Sequence, residues 1–230
     1  MGRNLAYRRQ PFKLLEEPMP SFELSTKNTA LLVMDVQRLT SDGCGGWAKL
    51  ACERGVSAEF KDYFDSLKEM LPNLRLILNR CRELGIPVIF TRLLSSTKAV
   101  RGLSVQEKML KNNLKCDGKD SEFLPDIKPE GGDIVIDKTC DNPFNCTGLE
   151  DILTNLNSSY IIVCGVRGGG YLNTTALDAA DRGFGVIVVS DAVASEIYHG
   201  THPMVESLNG GLIRVRLTSS LIEELSELTS

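Results

Sequence analysis

At 230 residues, with 42% hydrophobic and 24% charged residues, the chain suits one α/β domain or two small ones, and it needs no disulfide staples to bury a core. Its 26 Lys and Arg against 30 Asp and Glu give a formal net charge of -4, which excludes an electrostatic footprint for nucleic acid or an anionic membrane. The seven cysteines, at positions 44, 52, 81, 116, 140, 146 and 164, form no CxxC pair. That argues against a zinc site or a disulfide framework and for free thiols in a reducing compartment.

The N-terminus Met1-Gly2-Arg3-Asn4-Leu5-Ala6 lacks the apolar region of a signal peptide, and Ala6 stands where a myristoylation signal needs Ser or Thr. No apolar run is long enough to span a bilayer. The expectation is a soluble, cytoplasmic protein. Residues 1–26 mix charge with Pro11, Pro18 and Pro20 and read as an extended arm, either disordered or packed on a neighbouring subunit. Residues 27–230 carry no repeat, linker or shift in composition and read as one domain.

Residues 30–34 are an apolar run of the kind a strand buried on both faces requires. Residues 59–84 have a helical pattern, with Leu67, Leu71, Leu74, Leu78 and Cys81 at three- and four-residue spacing. Pro72 is expected to break or restart that helix, and Gly85 to end it. Residues 86–90 read as the second strand. Residues 95–130 are polar and irregular, with one helix near 105–114. Residues 133–137 read as a third strand, and Thr147-Gly148-Leu149-Glu150 as a capping box opening a short helix. Residues 160–164 give a fourth strand, 172–182 a helix closed by Gly183, and 185–189 a fifth strand. A helix near Pro203, a segment at 213–217 and a second capping box at Ser220-Leu221-Ile222-Glu223 complete the chain. Strands alternating with helices give βαβ units, a parallel sheet and a three-layer α/β sandwich.

Ligands of such sheets sit outside the carboxyl ends of the strands, so the residues that end each strand come first. The first strand ends in Met34-Asp35-Val36-Gln37. A carboxylate leaving a buried strand is either paired or functional, or it caps a loop or helix. The third strand ends in Asp137-Lys138, a lysine that either reaches across the rim to Asp35 or is simply solvated. The fourth ends in Gly165-Val166-Arg167-Gly168-Gly169-Gly170-Tyr171 before a helix. Such a turn either exposes backbone N–H groups to an anion or is only a tight turn. It is not a dinucleotide fingerprint. His199 and His202 lie in or near loops without a metal or triad pattern, and there is no G-x-S-x-G elbow or H-E-x-x-H.

Three stretches together resemble the isochorismatase-like (cysteine hydrolase) superfamily. Leu31-Leu32-Val33-Met34-Asp35-Val36-Gln37 resembles its aspartate strand. Pro129-Glu130-Gly131-Gly132-Asp133-Ile134-Val135-Ile136-Asp137-Lys138, continued by Asn142-Pro143-Phe144-Asn145-Cys146-Thr147-Gly148-Leu149, resembles its lysine strand and loop. Ile162-Val163-Cys164-Gly165-Val166, Thr175-Ala176-Leu177-Asp178-Ala179-Ala180-Asp181-Arg182-Gly183 and Val188-Val189-Ser190-Asp191-Ala192-Val193-Ala194-Ser195 resemble its nucleophile region. The resemblance covers about residues 28–228. It implies a parallel sheet of about six strands in the order 3-2-1-4-5-6, flanked by helices, and a homo-oligomer. It also implies Asp35 and Lys138 as catalytic residues and a cis peptide at Val166-Arg167. The position of the nucleophilic cysteine falls on Tyr171, and no adjacent register restores a thiol. The acid-and-histidine metal motif of nicotinamidases is missing, so no metal and no cofactor are expected. Thr40 replaces an aromatic residue usual a few positions beyond the aspartate, and Trp47 is the candidate to line the pocket instead.

Three functions are compatible with this departure. The first is hydrolysis of a small anionic metabolite, a vinyl ether such as isochorismate. Asp35 would act there as general acid without a covalent cysteine intermediate, and Lys138 would orient Asp35 and bind an anionic group. Gln37, Arg92, Val166, Arg167, Gly168, Gly169 and Gly170 would bind substrate or oxyanion, with Arg92 and Arg167 holding carboxylates bidentately. The second is an amide or ureide hydrolase with a displaced nucleophile, Cys140, Cys146 or Cys44. The third is a non-catalytic member that binds a ligand or partner.

Overall fold

A computed structural model describes residues 21–94, 118–145, 147–196, 205 and 207–228. Six strands form one sheet: β1 (Thr29–Met34), β2 (Val88–Leu93), β3 (Ile134–Lys138), β4 (Tyr160–Val166), β5 (Gly185–Ala194) and β6 (Ile213–Arg216). Their order is 3-2-1-4-5-6 and every pairing is parallel. The helices are α1 (Arg38–Ser41), α2 (Gly46–Glu53), α3 (Lys61–Glu83), α4 (Leu149–Asn155), α5 (Tyr171–Asp181) and α6 (Thr218–Ser226). The strand order reverses between β1 and β4, which places the rim after Met34 and Val166 at the switch point.

The sheet is covered on both faces. Leu31, Val33 and Phe90 face a core shared with Leu67, Leu74, Leu78 of α3 and Leu221, Leu225 of α6. Leu32, Met34 and Ile89 face the opposite core with Leu149 and Leu153 of α4 and Leu172, Ala176 and Ala179 of α5. All six residues of β1 are buried, which is why its sequence is continuously apolar rather than alternating.

Four local expectations change. Pro72 does not interrupt α3, which runs unbroken from Lys61 to Glu83. One missing N–H and a ring clash cost about 3 kcal/mol. Burial of Leu67, Met70, Leu74, Ile77 and Leu78, at about 1.5–3 kcal/mol each, outweighs it. Neither capping box forms. Gly148 and Leu217 are the N-caps of α4 and α6, and neither makes a side-chain cap. At α6 a distant residue takes that role: Asp191 of β5 accepts the Thr218 N–H and hydroxyl, both at 2.7 Å. The end of the predicted arm packs on its own chain, with Phe22 5.1 Å from the Tyr160 ring and Leu24 buried. The helix near 105–114, most of the segment near Pro203, and both histidines lie outside the described residues.

β2, β4 and β5 also run further toward their carboxyl ends than their apolar runs. β4 carries a register shift against β5 between Val163 and Gly165, and Gly165 sits at φ 116°. A Cβ there would stand 2.3 Å from the Met34 carbonyl oxygen. The extra residues of the irregularity lie in β5, between Val188 and Val193, while Gly165 stays in register with Met34 of β1. Gly165→Ala is therefore expected to combine a backbone cost of about 1–3 kcal/mol with a clash against β1. Gly85→Ala, at φ 70° in open space, carries only the left-handed cost of about 1–2 kcal/mol. Urea midpoints at constant m-value check the ranking, and equal losses for the two variants would refute it.

Candidate active site

The site is built from the carboxyl ends of β1, β2, β3 and β4. Asp35 follows β1 and takes φ 55°, in the left-handed region. Strand alternation would have pointed it into the core of Leu31 and Val33. The turn instead brings it to Thr91 and Lys138, which share the side of the sheet marked by Ile89 and Ile136. The Thr91 hydroxyl donates to Asp35 Oδ1 at 2.7 Å, and Lys138 Nζ lies 2.7 Å from Oδ2. Both side chains of the ion pair are 0% exposed.

Lys138 is saturated. Besides Asp35, its ammonium donates to the Cys140 carbonyl at 3.0 Å and the Asp141 carbonyl at 2.9 Å. An ammonium has three donors, so none remains for a substrate anion. The expected anion-binding role of Lys138 therefore falls away, and its geometry serves Asp35. The third donor faces Asp35 Oδ2 at 2.7 Å. The main chain of Asp35 is pinned as well: its carbonyl accepts the Thr40 hydroxyl at 2.5 Å and its N–H donates to Thr91 O at 3.0 Å. Thr40 thus holds the aspartate from behind, a role that its place in the sequence did not disclose.

Gln37 does not face a ligand. Its Nε2 donates to the carbonyls of Leu93 (3.0 Å) and Asp120 (3.2 Å), and its Oε1 accepts the Leu93 N–H at 2.6 Å. With both amide hydrogens engaged and the residue fully buried, it ties β2 to the 118–121 turn. Arg92 is also not brought to the pair. Alternation along β2 puts it on the other side of the sheet, where it pairs with Asp137 at 2.6 Å and lies 5.5 Å over Phe123.

The Val166-Arg167 peptide is cis. The glycine run folds on itself: Gly168 N–H donates to Ala194 O at 2.9 Å and Gly170 N–H to Arg167 O at 3.2 Å. Those two donors are not offered to an anion, contrary to expectation, because the turn uses them to dock on β5 and to enter α5. Arg167 does reach the site. Its guanidinium lies 4.8 Å over the Tyr171 ring and 5.8 Å from the Trp47 ring, and pairs with Glu196 at 3.0 Å. Tyr171, first residue of α5, presents the same ring 5.4 Å from Lys138 Nζ. Its ring therefore has two cations near it, and Trp47 lies on the same guanidinium.

Two titratable groups were not singled out by the sequence. Asp141, in the loop after β3, is half-buried; burial pushes its carboxyl up, opposed by Lys138 and Arg167 and aided by Asp35. Tyr63 of α3 is buried, its phenol pushed up by that burial, and it donates to Thr40 O at 3.1 Å. The signal for Asp141 was its place three residues after Lys138. Tyr63 carried none, since it reads as a core aromatic. Of the thiols, burial holds Cys81 up at about 12 and Cys164 well above the usual range, Cys44 and Cys52 are exposed, and Cys140 gives its thiol to Asn142 O at 3.2 Å. Cys116 and Cys146 lie outside the described residues. No group of three or more His, Cys, Asp or Glu among the described residues is arranged to hold a metal.

Lys138→Met removes the partner of a fully buried carboxylate. The expected cost is about 3–5 kcal/mol, because an uncompensated charge remains. Asp35→Asn combined with Lys138→Met should be less destabilising than the sum of the two single changes. Denaturant unfolding of the three variants checks this, and strict additivity would show that the pair is not coupled.

The likenesses to known proteins agree with this arrangement. Residues 29–201 match the Isochorismatase domain family. The chain is 29% identical over 141 residues to Nicotinamidase 3 of Arabidopsis thaliana, covering 60% of this chain and 70% of that protein. It is 25% identical over 175 residues to the Secreted isochorismatase effector Isc1 of Verticillium dahliae, covering 76% and 77%. In fold it resembles a cysteine hydrolase from Pseudomonas syringae pv. phaseolicola 1448A, at TM-score 0.76 and 19% identity over 93% of this chain and 99% of the other. It also resembles an isochorismatase from Pseudomonas putida KT2440, at TM-score 0.63 and 24% identity over 91% and 96%. With three quarters of its length matched to the family and the six-stranded parallel sheet to carry it, the chain belongs to the isochorismatase family of hydrolases.

Proposed function

We propose that the protein hydrolyses a small metabolite by proton transfer through Asp35, without a covalent cysteine intermediate. The observation that carries this reading is the place of the Asp35 carboxylate: buried at the switch point, with the Thr91 hydroxyl on Oδ1 and the Lys138 ammonium 2.7 Å from Oδ2. Thr91 holds Oδ1 and Thr40 holds the main-chain carbonyl. Oδ2 is then the atom that exchanges a proton with substrate. At the start of α5, where the superfamily's thiol would act, Tyr171 places a phenol, a poor nucleophile near neutrality.

Relatives named for a nicotinamidase, an N-carbamoylsarcosine amidase and an isochorismatase span amide, ureide and vinyl-ether substrates. A vinyl ether such as isochorismate fits best, since protonation and attack by water need no thiol. Arg167, steadied between Trp47 and Tyr171, is the group to hold an anionic part of such a substrate by exchanging Glu196 for it. Gly169 and the Val166-Arg167 peptide are the remaining backbone candidates for oxyanion contact. Since Asp35 and Lys138 are shut from solvent, the Tyr171 ring must leave Lys138 for substrate to enter.

That same seal favours a second reading, a member that binds a ligand or partner without turnover. Assay of isochorismate, nicotinamide and N-carbamoylsarcosine separates the two. On the proposed reading at least one is turned over, Asp35→Asn lowers the rate about 10²–10⁴-fold, and iodoacetamide, which reaches Cys44 and Cys52, leaves it nearly unchanged. Loss of activity on alkylation with the fold intact, reproduced by removing Cys140 or Cys146, would transfer the chemistry to a displaced thiol.

We further propose a cytoplasmic homo-oligomer to which residues before the domain contribute contacts. No helix among the described residues is long and apolar enough to cross a membrane. Light scattering at micromolar concentration should give a multiple of 25.3 kDa, and a monomer mass would refute the assembly.

A further inference from the structure

We propose that Asp178, on α5, is a positioning residue that sets Lys138 through Asn142; the proposal rests on the reading of Asp35 as the proton-transfer group. Two of the three acceptors around the ammonium are main-chain carbonyls, of Cys140 and Asp141. Carbonyls in a loop are only as fixed as the loop. This one ends on Asn142, which is 4% exposed and engaged on every side. Its carbonyl accepts the Cys140 thiol at 3.2 Å and the Asn145 N–H at 3.1 Å, and its Oδ1 accepts the Phe144 N–H at 3.0 Å. Its Nδ2 donates to Asp178 Oδ2 at 2.6 Å. That contact ties the loop to a helix.

Asp178 is held in turn. Arg182 donates to its Oδ1 at 2.9 Å, lies 5.0 Å over Phe144 and pairs with Glu150 of α4. The Asp178–Arg182 pair alone would be an ordinary i, i+4 surface pair of small worth. The part-buried, charge-assisted bond to Asn142, itself 4% exposed, is of another kind. Tyr171 precedes Asp178 by seven residues, two turns of helix, so both lie on one side of α5. The helix therefore meets the lysine twice, by the Tyr171 ring near the ammonium and by Asp178 through the loop that supplies its carbonyls.

The sign of the effect separates positioning from simple charge. Among the described residues, the titratable groups that face Asp35 are Lys138 from β3, Asp141 from the loop and Tyr63 from α3. Arg167, Glu196 and Tyr171 ring the same space. Removing the negative charge of Asp178 would by itself ease ionisation of nearby carboxyls and move the limb set by Asp35, on which a general acid loses rate as pH rises, to lower pH. Loosening the loop lets Lys138 retreat from Asp35 and moves the limb to higher pH.

The test compares Asp178→Ala, Asn142→Ala, the milder Asp178→Asn, the exchange Asn142→Asp with Asp178→Asn, and Arg182→Gln. Two readouts are taken: the 15N signal of the Lys138 ammonium, visible only while it is sheltered and hydrogen-bonded, and kcat, KM and the pH profile. Asp178→Ala and Asn142→Ala should each abolish the ammonium signal, lower kcat about 10- to 100-fold with little change in KM, and move the limb set by Asp35 to higher pH. Their combination should be no worse than either alone. Asp178→Asn should fall between, the exchange should restore both readouts, and Arg182→Gln, which leaves the Asn142 bond, should keep them. A folded Asp178→Ala or Asp178→Asn with the signal and kcat of the parent overturns the proposal, as does an equal loss in Arg182→Gln or a limb that moves downward. If the ammonium signal responds as stated while no variant, nor the parent, turns over substrate, positioning stands and the hydrolase reading fails. If turnover needs Asp35 but ignores Asp178, the reverse holds.

Discussion

An ammonium and a carboxylate held together out of water are the constraint on which the rim of this sheet depends. Taking each ion from solvent costs several kcal/mol even after the protein relaxes, and their attraction repays it only where the remaining donors and acceptors are also met. The fold meets that demand with groups from separate elements. Thr91 comes from β2, the carbonyls of Cys140 and Asp141 from the loop after β3, and the Thr40 hydroxyl from α1 behind the aspartate. The pair thus fastens three strand ends to each other. Gln37 performs the same office for the main chain alone, by closing the end of β2 against the 118–121 turn.

The parts of the fold that depend on local pattern were legible in the sequence. Continuous apolar runs marked β1, β4 and β5, and a three- and four-residue stripe marked α3. The strand ends were not, because Thr91, Arg92, Ser190 and Asp191 are polar and a strand that stays paired while turning polar leaves no periodic trace. The caps were misread for a related reason. Ser220 and Glu223 have the spacing of a capping box, yet α6 starts at Thr218, where a carboxylate 27 residues upstream satisfies the free N–H. Position in the chain identified Asp35, Lys138, Arg167 and Tyr171 as neighbours. It did not tell which of them had donors left over. Lys138 and Gln37 read as ligand-binding groups until their partners, four of them backbone carbonyls, are counted. Arg92 read the same way until the alternation of β2 put it on the wrong side of the sheet.

The link from Asn142 to Asp178 illustrates the limit of spacing as evidence. The residues are 36 positions apart, one in a loop with no periodicity and one on a helix face where Asp178 and Arg182 look like a routine surface pair. Only the burial of Asn142 sets the contact apart. Loops that hold a charged group by their carbonyls need an anchor of this sort, since a carbonyl displaced by an ångström loses most of its hold on an ammonium.

On the proposed reading, Tyr171 at the head of α5 stands where the superfamily's thiol would act, and its surroundings obey the same electrostatic logic. Lys138 and Arg167 flank that position at 5.4 and 4.8 Å from the ring. With a thiolate there, the two cations would share an anion, and the sulfur would be kept ionised and reactive. With Tyr171 there, the negative face of the ring takes the place of that anion. The attraction is worth about 0.5–2 kcal/mol per cation depending on exposure, enough to keep both side chains in line and far too little to make a nucleophile. Arg167 needs a second counterion and has one in Glu196. Lys138 needs none, since Asp35 is already its partner. On the proposed reading the substitution therefore disarms covalent attack while leaving the lysine, the aspartate and the geometry between them as they were, which is what a reaction carried by a carboxyl proton requires.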